Sequence, residues 1–136
     1  MLARAPDRVA RPTGRNPRMP LYAVLIYAED SAHSPDATPE DIAECDDHAG
    51  ELLAADAMVT AYAFTPRAFA RSVRASGISE GPFVDAEDVV AGVYVVEAAD
   101  LDQAVRIART NPVVRSGGGV EVRPIHSGGV IRAPRG

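Results

Sequence analysis

The chain has 136 residues, enough for one domain whose core hides roughly two-thirds of the unfolded surface. Its formal charge is −5 and all 14 of its basic residues are arginine, a balance that argues against a nucleic-acid-binding body. A single cysteine excludes an internal disulfide, and no apolar run approaches the roughly 20 residues of a membrane span or forms a secretory leader, so the expected setting is a reducing cytoplasm.

Residues 1–18 differ from the rest. They hold five arginines and three prolines against one acid, Asp7. Such a composition buries too little apolar surface to offset the entropy of ordering, so a disordered tail is expected there. Met19-Pro20-Leu21 reads as the natural start of the folded body. Without the tail, nine arginines face eighteen acids, a net charge of −9.

Leu21 to Ala28 is a nearly unbroken apolar run and predicts a strand covered on both faces. Glu29 to Ala37 reads as a polar loop carrying a solvated His33, with Ser34-Pro35-Asp36 as a turn. Thr38-Pro39-Glu40-Asp41 is a strong helix start: Thr38 caps, Pro39 suits the first helical position, and acids favour the positive end of the dipole. The helix is expected to run to about residue 57 with Ile42, Cys45, Ala49, Leu52 and Leu53 as its apolar stripe. His48 falls roughly 40° beyond Leu52 on the margin of that stripe, where an imidazole can be half-buried with one nitrogen available. Asp41, Cys45 and His48 do not make a metal site, because a tetrahedral centre needs more nitrogen and sulfur ligands. Neither a metal nor a cofactor is expected.

Met58 to Phe64 predicts a second strand, with Val59, Ala61 and Ala63 on one side and Tyr62 and Phe64 on the other. Phe69 to Ser79 reads as a small hairpin turning at Ala75-Ser76-Gly77, with Arg71 and Arg74 exposed. It leads into Glu80-Gly81-Pro82-Phe83, where Gly permits unusual φ and Pro fixes its own, so that a carboxylate sits on a stiff corner. An acidic link with Asp85, Glu87 and Asp88 follows. Gly92 to Glu97 predicts a third strand, apolar on both faces. Asp100 caps a second helix with Gln103 as its reciprocal partner, and Leu101, Ala104, Val105 and Ala108 form the expected buried stripe. Asn111-Pro112 stops it. Ser116 to Gly119 reads as a flexible loop that lacks the features of a phosphate loop. Val120 to Ile125 is the last strand, with Val120 and Val122 inward, Glu121 and Arg123 outward, and a frayed tail over 127–136.

The order is βαβ, a hairpin excursion, then βαβ, which is the split βαβ, ferredoxin-like α+β pattern. Strands 21–28 and 92–97 should be central and the other two should be edges. One sheet with two helices leaves an apolar face uncovered, so a homodimer is expected.

In sequence order, Leu25-Ile26-Tyr27, His48, Glu80-Gly81-Pro82-Phe83, Gly92-Val93-Tyr94, Asp100-Leu101-Asp102, Asn111-Pro112 and Gly118 to Pro124 resemble the YCII-related family over residues 19–126. The likeness is to the branch known for an Asp-Gly-Pro-Phe motif, with Glu80 here replacing the aspartate. The resemblance implies that two subunits pack sheet to sheet as a dimeric α+β barrel. It also carries over an acid/base pair, His48 and Glu80. Tyr94 and Arg123 are weaker candidates for contacting an anionic or phenolic ligand. Relatives often carry a lysine in the acidic link, and this chain has none, which speaks against anion binding there.

Three functions stay open on this reading. The first is a cofactor-free enzyme moving a proton on a small organic substrate, as a lyase, isomerase, dehydrohalogenase or cyclising enzyme, with His48 as base and Glu80 as its orienter. The second is a small-molecule-binding or regulatory module without turnover. The third is an interaction protein in which His48 and Glu80 form a structural bond.

Overall fold

A computed structural model describes residues 19–42 and 57–129. The main sheet has four antiparallel strands: β1 (Leu21–Ala28), β2 (Met58–Ala63), β5 (Val89–Glu97) and β6 (Gly119–Pro124). They lie in the order β2-β5-β1-β6, and β3 (Arg71–Arg74) with β4 (Gly77–Glu80) forms a separate two-stranded ribbon. Helix α1 (Leu101–Ala108) packs against β6 and β1. The two strands with continuous apolar sequence are the central pair and the alternating ones are the edges. This is the strand order of the split βαβ pattern, and the class is α+β.

Alternation along the strands sorts the sheet into two faces. Val24 lies opposite Tyr94 and Tyr22 opposite Val96, and these four with Ala98, Ala104 and Ala108 form the buried core beneath α1. Val24 and Val96 are its fully enclosed large side chains. The alternate residues Ala23, Leu25, Val93 and Val95 occupy the other face and are only half-buried. Among the described residues, no helix or strand packs across that second face.

The helix cap forms as its sequence requires. The Gln103 N–H donates to Asp100 Oδ1 at 2.9 Å, and the Gln103 side chain in turn accepts from the Ala99 N–H. The buried stripe differs from expectation. Ala104 and Ala108 are enclosed and Ile107 packs beside them, whereas Leu101 and Val105 are exposed. A helix of only 8 residues seats a narrow i, i+3, i+4 edge on the sheet, so the flanking apolar positions stay outside.

Three other local departures have identifiable causes. Strand β5 begins at Val89, not Gly92, because a register shift after Ile26 lets Val90 and Val89 pair with Tyr27 and Ala28. A second shift, between Met58 and Thr60, breaks the strict alternation of β2 and turns Met58 onto the core. The glycine loop before β6 is tightly fitted rather than loose. A Cβ on Gly118 would lie 2.6 Å from Val113 Cγ2 and closer still to the Tyr27 carbonyl oxygen.

Within the stretch expected to be a helix, 38–57, the described residues hold a 3-10 turn at Pro39–Ile42. Residues 43–56, including Cys45 and His48, lie outside the described residues, as do residues 1–18 and 130–136. His33 is half-buried rather than solvated, and its backbone N–H donates to Ser31 Oγ at 3.0 Å.

Candidate functional site

The Glu80-Gly81-Pro82-Phe83 corner is built as its residue types demand. Gly81 has φ +102°, a conformation that side-chain-bearing residues rarely adopt. Its N–H donates to the Ala70 carbonyl at 2.8 Å, closing the ribbon at its base. The buried Ser72 hydroxyl donates to the Gly81 carbonyl at 2.8 Å. Arg74 donates to the Phe83 carbonyl at 3.1 Å, and its guanidinium carbon sits 3.8 Å from the centre of the Phe83 ring. The corner is therefore fixed on both sides.

Beside this corner lies an open groove of about 850 Å³, at the end of the sheet where β1 and β2 finish and β5 begins. Phe64, Pro66, Phe69, Pro82, Phe83 and Val84 give it apolar walls, and Tyr27 and Asp88 also line it. Phe69, Phe83 and Val84 are each more than half exposed, so this apolar surface is open to a ligand.

Arg67 frames the groove. Its guanidinium donates to the carbonyls of Glu29 at 3.0 Å, Glu87 at 3.3 Å and Ala86 at 2.8 Å, and to Asp85 Oδ1 at 2.9 Å. The Arg67 backbone N–H donates to Asp30 Oδ1 at 2.7 Å. One side chain thereby ties the loop after β1 to the acidic link. Sequence reasoning missed it; the signal available was an acidic link with no cation of its own and a lone arginine after Pro66.

The residues singled out from the sequence do not gather at one place. Glu80 ends β4 with its side chain 82% exposed, and Arg71 is its ionic partner at 3.9 Å. It sits next to the groove without lining it. Tyr94 is buried beneath α1. Burial raises its phenol above the ordinary tyrosine range, opposed by a hydrogen bond with the buried side chain of Asn111. Arg123 is exposed on the opposite face, where its Nη1 bonds Glu121 Oε2 at 3.1 Å. Tyr94 and Arg123 thus point away from each other across the sheet. His48 falls outside the described residues. Arg123 does have a companion that the sequence reading overlooked, because the Tyr27 hydroxyl donates to Glu121 Oε1 at 3.4 Å.

Among the described residues, no three His, Cys, Asp or Glu side chains gather as a metal set, and no helix is long and apolar enough to cross a membrane.

Residues 20–127 match the model of the YCII-related domain. The chain belongs to the YCII-related family. It is also similar to an uncharacterized protein of Rhizobium meliloti (strain 1021), 30% identical over 116 residues that span 77% of this chain and 91% of the relative. The match covers both described segments of the sheet, α1, the ribbon and the groove.

Proposed function

We propose that this YCII-related chain works as a homodimer that binds a small organic molecule in the groove beside Gly81-Pro82-Phe83, and that it belongs to the branch whose motif reads Asp-Gly-Pro-Phe. The observation that carries this reading is the groove itself: about 850 Å³ walled by aromatic and proline side chains and anchored by the Arg67 and Ser72 bonds. A preformed concave apolar surface with a few fixed polar groups is the usual form of a small-molecule site. Dimerisation is supported by the half-buried Ala23, Leu25, Val93 and Val95, which form an apolar sheet face left uncovered by the described elements. Pairing two such faces gives a dimeric α+β barrel.

A second reading adds chemistry to the same corner. His48 takes a proton from the substrate and Glu80 orients and supports the imidazolium, with no cofactor. What favours it is the fixed corner: a carboxylate at its edge has one exposed ionic partner, Arg71, which competes weakly for it.

An amide-resolved NMR screen of small aromatic molecules tests the binding reading. Shift changes concentrated at residues 64–70 and 82–90 are the expected result. Hits that scatter over the surface, or none at millimolar concentration, would overturn it. Sedimentation tests the dimer. A monomer at micromolar concentration would remove the sheet-to-sheet assembly.

A further inference from the structure

Resting on the small-molecule reading of the groove, we propose that its ligand is an organic ammonium ion with an apolar body, and that Asp88 supplies the charge which selects it. The loop at 29–30 and the stretch 64–90 carry six carboxylates, on Glu29, Asp30, Glu80, Asp85, Glu87 and Asp88, against the guanidinium groups of Arg67, Arg71 and Arg74. Each of those three cations has partners within the protein, the exposed Arg71 pair being the weakest. Arg67 serves four acceptors that join two loops, Arg71 pairs with Glu80, and Arg74 is stacked on Phe83 and bonded to its carbonyl. Asp88 is different. It lines the groove, it is exposed, and it has no hydrogen bond or ion pair among the described residues.

The walls suit the same ligand. Phe64, Phe69 and Phe83 line the open groove, and Arg74 already covers one face of the Phe83 ring. Aromatic rings attract cations through their quadrupole, more strongly when water is excluded, and Arg74 over Phe83 is an instance within this protein. Among the described residues around the groove, an anionic ligand would meet an excess of carboxylates and guanidinium groups that already have partners. A neutral aromatic molecule would gain the apolar contact alone.

Three probes of one shape separate these cases: 2-phenylethylammonium, 2-phenylethanol and phenylacetate, titrated into the full-length protein at pH 7 and followed by amide NMR. The expected order is ammonium tightest, by about fivefold over the alcohol, with the carboxylate weakest. Asp88→Asn should bring the ammonium down to the level of the alcohol and leave the alcohol unchanged. Phe69→Ala should weaken all three, and amide spectra of both variants establish that they are folded. Phenylacetate binding as tightly as the ammonium, or an ammonium preference that survives Asp88→Asn, would overturn the assignment while leaving the groove a small-molecule site. No groove shifts with any probe would overturn both.

Discussion

The Arg67 guanidinium meets the Asp85 carboxylate at 2.9 Å, yet the two partners live in different surroundings: the Arg67 side chain is 22% exposed and that of Asp85 is 91% exposed. An ion pair with one partner so open to water is screened, and its charge contributes little. The value of Arg67 lies in its bonds to the carbonyls of Glu29, Ala86 and Glu87, which belong to loops with few other ties. A planar guanidinium reaches several such acceptors at once, whereas an ammonium cannot match the fork.

Arg67→Ala should therefore cost about 2 kcal/mol of stability, because three carbonyls and a carboxylate lose a charged donor together. Asp85→Asn should change stability by no more than about 0.5 kcal/mol. Arg67→Lys should resemble the alanine variant more than the wild type. Denaturant unfolding measures all three, and hydrogen exchange at residues 84–88 should quicken in the two Arg67 variants. An Asp85→Asn loss as large as that of Arg67→Ala would show that the ion pair, not the carbonyl set, is what counts.

Two glycines separate strain from crowding. Gly81 has φ +102° and nothing within 4 Å of the position of a Cβ, so Gly81→Ala should cost only backbone strain, about 1–2 kcal/mol. Gly118→Ala meets a carbonyl and a valine methyl in a packed spot, and relief requires β1 or the 3-10 turn Pro112–Val114 to move. The second substitution should cost more than the first, about 3 kcal/mol. Thermal melts of the pair provide the comparison, and equal losses would mean the fit around Gly118 relaxes easily.

Tyr94 predicts an alkaline limit. Its folded phenol holds its proton to higher pH than the ordinary value of 10.0, because burial disfavours the phenolate. Below 10.0 both folded and unfolded chains bind the proton, so this group adds no pH dependence to stability there. As pH rises through 10.0 the unfolded chain releases it first, so the stabilising contribution is lost as pH climbs toward the folded value. Tyr94→Phe should flatten that alkaline decline while costing about 1 kcal/mol at pH 7, where one polar contact of Asn111 is lost and its bond from the Val113 N–H remains. Unfolding between pH 7 and 11 reads both effects. A decline of unchanged steepness in Tyr94→Phe would place the limit on another tyrosine.

The elements set by apolar runs were legible in the sequence. Leu21 to Ala28 and the valine-rich 92–97 specify central strands, and Asp100 with Gln103 specifies a cap, because each signal is local. What the sequence could not display was anything fixed by a register shift or a distant bond. The shift at Met58/Thr60 depends on how β2 meets β5. The four acceptors of Arg67 come from loops some twenty and nearly forty residues away, and no spacing rule connects them. Tyr94 and Arg123 are both weaker candidates for a ligand contact in the sequence, and only the pairing of β1 with its two neighbours reveals that they occupy opposite faces.

The acid/base reading makes a demand on His48 and Glu80 that can be checked without knowing a substrate. A carboxylate near an imidazole favours the charged ring, so removing that charge should lower the pH at which His48 titrates. Glu80→Gln makes this change with little risk to the fold. The corner is held by the Gly81 N–H on Ala70 and by Ser72 on the Gly81 carbonyl, and the lost ion pair with Arg71 is exposed on both sides, 55% and 82%. NMR titration of the His48 ring in both proteins is the measurement, with His33 and His126 as internal references. A shift at His48 alone is the expected outcome. Arg71→Gln should move His48 the opposite way, since it removes a cation that shares the same carboxylate. Coincident His48 curves in all three proteins would mean that the residues do not communicate, and the corner would then serve the groove as a wall and not as part of a proton-transfer pair.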